Sequence, residues 1–188
     1  MAFNKQKLLK IIRKGDTASA KKIIDQHEHE IELDSMFAFA CQGSTESMLR
    51  FLLDKWIVSK FTAGQFNSKI EDGVMFLIQK NNSFFFEAVK HFKNNRYNDA
   101  KNKFFITAAR FGNLDIVNFY LNDKDIDPSQ DKNNLIMGLF RKTKISPNAN
   151  NIQIIIKYLK RDPRVLKMAI NQEQWEAVDD TAAEFIFI

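Results

Sequence analysis

The sequence predicts an all-α chain, built as a solenoid of stacked helical pairs. Three observations carry that expectation. A unit of helix, turn, helix and polar loop recurs roughly every thirty residues, the period of repeat architectures. Apolar residues inside the units fall at the 3, 4 and 7 spacings of a helical face. Only three prolines occur, Pro128, Pro147 and Pro163, all in stretches that read as loops.

Each unit has its own justification, taken in chain order. The first, KLLKIIRKGDTASAKKIID (Lys7 to Asp25), turns at Gly15. The second, FAFACQGSTESMLRFLLD (Phe37 to Asp54), turns at Gly43. In the third the turn is Asn81-Asn82, asparagine being the next-best residue for left-handed backbone. The fourth, FFITAARFGNLDIVNFYLND (Phe104 to Asp123), is the clearest. Its first helix has Ile106, Ala108 and Ala109 as its apolar face. Gly112 ends that helix, because glycine takes a left-handed C-terminal conformation without a Cβ penalty. Leu114, Val117, Tyr120 and Leu121 line the second helix, and Asp127-Pro128-Ser129 is a turn that cannot continue it. The fifth unit carries an insertion, Lys142 to Asn151, before the helix NIQIIIKYLKRD (Asn151 to Asp162). The sixth, Leu166 to Phe185, has Trp175 near the Leu114 position.

These residues carry a family resemblance. The string AARFGNLDIVNFYLNDKDIDPS (Ala108 to Ser129) resembles an ankyrin repeat: a small-small pair, a Gly turn, then a leucine-rich second helix. Arg161-Asp162-Pro163-Arg164-Val165 echoes the loop that closes some ankyrin variants. The resemblance implies one repeat domain, 1–188, of about five or six degenerate units. No unit has the Thr-Pro-Leu-His start of the consensus, and the spacing between units is irregular. A helix-pair solenoid of the HEAT or tetratricopeptide kind therefore stays open.

Composition bounds the function classes. At 45% hydrophobic and 27% charged, 188 residues suffice for one ordinary domain or one short array. No apolar run approaches the roughly eighteen residues of a membrane span. The basic N-terminus is broken by Lys10 and Arg13, which suits an amphipathic first helix rather than a signal peptide. A single cysteine, Cys41, excludes an internal disulfide and fits a reducing, cytoplasmic setting. Heavy use of Asn, Ile, Lys and Phe implies an A/T-rich genome.

The catalytic inventory is poor. His27 and His29 could start a metal site, but zinc takes three or four ligands and no second cluster lies near in sequence. Cys41 with distant His91 could pair as nucleophile and base; its place just before the Gly43 turn suits a buried small hydrophobe better. Asp123, Asp125 and Asp127 alternate as in a calcium loop, yet the sixth and twelfth positions are Pro128 and Asn134 instead of Gly and Glu. There is no GxxxxGK[ST] and no GxGxxG, so no nucleotide is implied. The expectation is no enzyme, no metal and no cofactor.

Two binding functions remain. In ankyrin-like arrays the partner lies against the first helices and their protruding loops. Carried onto this chain, the resemblance implies a protein partner at the residues just before each turn: Arg13 and Lys14, Phe37 and Gln42, Lys80, Arg110 and Phe111, and Arg141. Interface energy concentrates on large aromatics and arginines. Phe111 stands where consensus repeats carry a polar residue, which singles it out.

The alternative is nucleic acid. Net charge is +5, and Lys90 to Lys103 holds Lys90, Lys93, Arg96, Lys101 and Lys103, with Phe92 and Tyr97 interleaved. Lys142, Lys144, Lys157, Lys160, Arg161 and Arg164 form a second basic region. Against it, 21 lysines outnumber 7 arginines, and phosphate recognition favours arginine's fork. At the C-terminus Glu173, Glu176, Asp179, Asp180 and Glu184 precede Phe185-Ile186-Phe187-Ile188. Acids on a last helix suit a capping repeat. They also resemble the export signal of some type IV-secreted bacterial effectors, which implies a host protein in the host cytosol as the target.

Overall fold

The computed structural model describes residues 3–58, 66–92, 95–129, 135, 138–139 and 147–165. Among them every regular element is helical and no strand occurs. The helices are α1 (Lys5–Lys14), α2 (Thr17–Gln26), α3 (Leu33–Cys41), α4 (Glu46–Val58), α5 (Ser68–Gln79), α6 (Phe84–Val89), α7 (Asn95–Phe111), α8 (Leu114–Leu121) and α9 (Ala149–Arg161), with a 3-10 turn at Glu28–Glu30. The chain divides into two compact units, 1–100 and 101–188, with the boundary inside α7. The sixth sequence unit, with Trp175 and the acidic C-terminus, lies outside the described residues.

Local chemistry sets where helices start and stop. Asn4, Asp16 and Asn67 cap α1, α2 and α5, each carboxylate or amide oxygen accepting from a first-turn N–H at 3.0–3.1 Å. Gly15 (φ 73°) and Gly112 (φ 72°) sit in the left-handed region directly after α1 and α7, and Gly43 follows the end of α3. Asn81, at φ 52°, does the same work after α5. The four turns therefore fall where the apolar pattern placed them.

In the first unit α1 packs on α2 and α3, and α3 packs on α4 and α5. The even-numbered helices also adjoin, α2 with α4 and α4 with α6. Leu8 and Ile12 of α1, Phe37 and Ala40 of α3, and Val74 and Leu77 of α5 supply buried apolar positions. At the N-terminal ends of α3 and α5, Asn67 Nδ2 donates to Asp34 Oδ2 at 3.0 Å and Lys69 Nζ meets Glu32 at 2.8 Å. The Lys69 ammonium holds the Glu32 carboxyl below its ordinary range. Those contacts tie the N-terminal ends of the two helices together.

The second unit pairs α8 with α9. Asp127 Oδ1 accepts from Ser129 N at 2.9 Å, and Asp162 Oδ1 accepts from Arg164 N at 2.9 Å, so both Asp-Pro loops close as side-chain-capped turns. Arg164 then donates to the carbonyls of Leu121, Asp123 and Ile126 at 3.0, 3.2 and 2.8 Å. Its guanidinium satisfies the open C-terminal end of α8 and of the loop that follows.

Two details differ from expectation. The basic stretch is helical from Asn95 to Lys103, as the start of α7. Tyr97, Ala100 and Phe104 are buried at helical spacing, which draws those residues into the fold. Ile106, Leu114 and Leu121, expected on buried faces, are only half-buried; Phe105 and Ile116 are buried there beside Val117 and Tyr120, which were expected.

Ala108 and Ala109 are both fully buried. Ala109→Leu is therefore expected to destabilise by about 1–3 kcal/mol through overpacking. Chemical denaturation of the two proteins checks this, and an unchanged midpoint would mean that Ala109 has room beside it.

Candidate partner-binding site

The first two turns converge. α1 ends in Arg13 and Lys14, both exposed, a placement the negative C-terminal pole of the helix favours. α3 ends at Cys41, leaving Gln42 and Gly43 exposed. Ser44 Oγ donates across to Ile12 O at 2.5 Å, which holds the second turn against the end of α1. The Arg13 guanidinium lies over the Phe39 ring, 5.1 Å from its centroid. Arg13, Phe39, Gln42, Gly43 and Ser44 line a cleft of about 360 Å³.

Other residues expected to meet a partner behave differently. Lys80 is exposed at the end of α5, just before the left-handed Asn81. Phe37 corrects the expectation: it has no exposed surface, since it faces the core from α3 four residues before Cys41. Phe39, two positions on, is the aromatic that reaches the turn. In the second unit Arg110 is exposed and Phe111 is 41% exposed. Their turn is held by the last residues of the insertion, where Asn148 donates to Phe111 O at 2.8 Å and Asn151 to Gly112 O at 2.9 Å. Arg141 lies outside the described residues.

Several groups of the basic regions are engaged within the chain. Phe92 and Tyr97, the aromatics interleaved with cations, are 4% and 7% exposed. They pack with Phe66, centroids 4.8 and 5.5 Å away, so neither offers a face for a base to stack on. Lys101 meets Asp123 at 2.8 Å, and Arg96 lies 3.9 Å from Glu71. In the second region Arg164 is engaged with Asp162 and three carbonyls. Lys93, Lys142 and Lys144 lie outside the described residues.

The reactive side chains are held in structural roles. Cys41 is buried, and burial pushes its thiol well above the ordinary range, away from the thiolate a nucleophile needs. His27 Nδ1 faces Glu30 Oε1 at 2.8 Å in the solvated turn after α2. Asp123 and Asp127 accept from the backbone N–H groups of Asp125 and Ser129. Among the described residues no three His, Cys, Asp or Glu side chains gather as metal ligands, and no helix is long and apolar enough to cross a membrane.

Two positions that line the cleft escaped the sequence. Phe39 sits in the same FAFA string as Phe37, and only the orientation of α3 separates an inward from an outward phenylalanine. Ser44 looked like ordinary turn filler, although a hydroxyl just after a Gly turn is the available signal for a cross-turn donor. No protein-family model, curated protein or solved structure matches the chain.

Proposed function

We propose that the chain is a non-catalytic protein-binding module, an ankyrin-like array of helical pairs that meets its partner with the turn ends of its first helices. One observation carries this reading. The expected contact residues at the turns, Arg13, Lys14, Gln42, Lys80, Arg110 and Phe111, are exposed at or just past the ends of helices whose other faces are buried. An exposed arginine beside an exposed phenylalanine is the composition of an interface anchor. The row of α1, α3 and α5 against the row of α2, α4 and α6 supports the array, as does the recurrence of left-handed turns after α1, α5 and α7. The buried thiol of Cys41 supports a non-catalytic role. The effector reading adds a host protein as the target and rests on the acidic C-terminal composition.

The test starts from a partner captured by affinity and then measured directly. Arg110→Ala with Phe111→Ala is expected to weaken binding by about 2 kcal/mol or more, roughly thirtyfold, with the melting temperature kept. Titration of wild type and double variant at two salt concentrations reads this out. Equal affinities would remove the α7 turn from the interface. Binding to nucleic acid alone, falling steeply with salt, would replace the protein partner with the alternative.

A further inference from the structure

We propose that the cleft between the α1 and α3 turns is a receptor for a carboxylate side chain, presented by an acidic segment of the partner protein. This rests on the protein-binding reading above and adds the partner's chemistry at one site.

Arg13 is the central residue. Arg50 meets Glu46 and Glu87, Arg96 meets Glu71, and Arg164 meets Asp162. Among the described residues Arg13 has no such carboxylate, and its contact is the face of Phe39. Set over the ring, the guanidinium has N–H groups that no carboxylate of the described residues engages, and such a fork matches a carboxylate in two parallel hydrogen bonds. The end of α1 does not use up that fork, because Ile12 O already accepts from Ser44 Oγ and from Gly15 N.

The surroundings favour an anion of small size. Lys14 is exposed beside Arg13. The nearest acid in sequence, Asp16, caps α2 through Ser19, which holds its carboxyl below the ordinary range; its charge also acts with Lys14, so the recognition falls to Arg13. Exposed Gln42 brings an amide that can donate to the second carboxylate oxygen. At about 360 Å³ the cleft suits one or two side chains. Phe39 forms an apolar wall for the methylenes of a glutamate.

The experiment uses the full chain, isotope-labelled, and two synthetic probes: acetyl-Glu-Glu-Leu-Glu-Glu-amide and its all-glutamine counterpart. NMR follows the Arg13 side-chain N–H and the backbone amides of Gln42 and Gly43. The acidic peptide is expected to shift these resonances saturably, at least tenfold more tightly than the glutamine peptide. Arg13→Ala should abolish the response, and Arg13→Lys should restore only a small part of it. Arg13→Gln keeps a polar helix former without the charge and serves if the alanine variant loosens α1. Equal responses to both peptides, or a response that survives loss of Arg13, overturns the proposal. A single-stranded oligonucleotide that displaces the acidic peptide from the same resonances also overturns it, in favour of phosphate. A captured protein partner that binds Arg13→Ala as tightly as wild type sinks the cleft and leaves the module standing. Peptide binding at the cleft, with every captured partner indifferent to the turn residues, would do the reverse.

Discussion

Trp56→Ala is expected to cost about 3–5 kcal/mol, the largest effect of any single change considered for this chain. Domains of this size are stable by roughly 5–15 kcal/mol, so the first unit would stand near its unfolding threshold. Trp56 has no exposed surface and meets Phe92 edge-on, with centroids 5.9 Å apart. Phe92 in turn packs on Phe66 and Tyr97, at 4.8 and 5.5 Å. Four aromatics thus join α4, the entry to α5, the exit from α6 and the start of α7. Aromatic pairs add about 0.5–1.5 kcal/mol each beyond their burial, and truncation of the tryptophan leaves a cavity that rigid neighbours fill poorly. Urea denaturation followed by far-ultraviolet circular dichroism measures the loss. A cost under about 1 kcal/mol would mean that the cluster is not packed as described.

Gly73 tests the contact between α3 and α5. Helix propensity alone says that Gly73→Ala should stabilise α5 by about 1 kcal/mol. The tertiary contact says otherwise. A Cβ at this position would stand 2.9 Å from the Ala38 Cα and 3.3 Å from the Cys41 sulfur. A backbone atom of α3 cannot rotate away, so α3 and α5 would have to separate. Gly73→Ala is therefore expected to show no gain, and Gly73→Val to lose about 1–3 kcal/mol or more. Thermal and urea melts of both variants decide the sign. A stabilised alanine variant would show that α3 and α5 lie further apart.

Much of the local structure was legible in the sequence. The helical period placed the first and second helices of the clearest unit. The turn residues Gly15, Gly43, Asn81 and Gly112 marked the ends of α1, α3, α5 and α7, because few residues tolerate the left-handed backbone and a short polar turn leaves the chain no other route. Asp127-Pro128-Ser129 and Asp162-Pro163-Arg164 read as turns for the same local reason: a side-chain oxygen two residues before the free N–H closes each one.

What each side chain faces was decided only in three dimensions. Phe37 and Phe39 belong to one string, yet one is core and the other walls the cleft, since 100° per residue separates neighbours on a helix while composition does not. Phe92 and Tyr97 among lysines looked like a stacking platform and are the interior of an aromatic cluster. Arg164 counted as one positive charge in a basic region and serves as a cap on three carbonyls from distant residues. The sequence by itself determined helices, turns and their order, which depend on contacts within a few residues. The tertiary structure alone decided which cations are consumed inside the chain and which, like Arg13, remain at the surface, because that depends on partners some twenty to forty positions away.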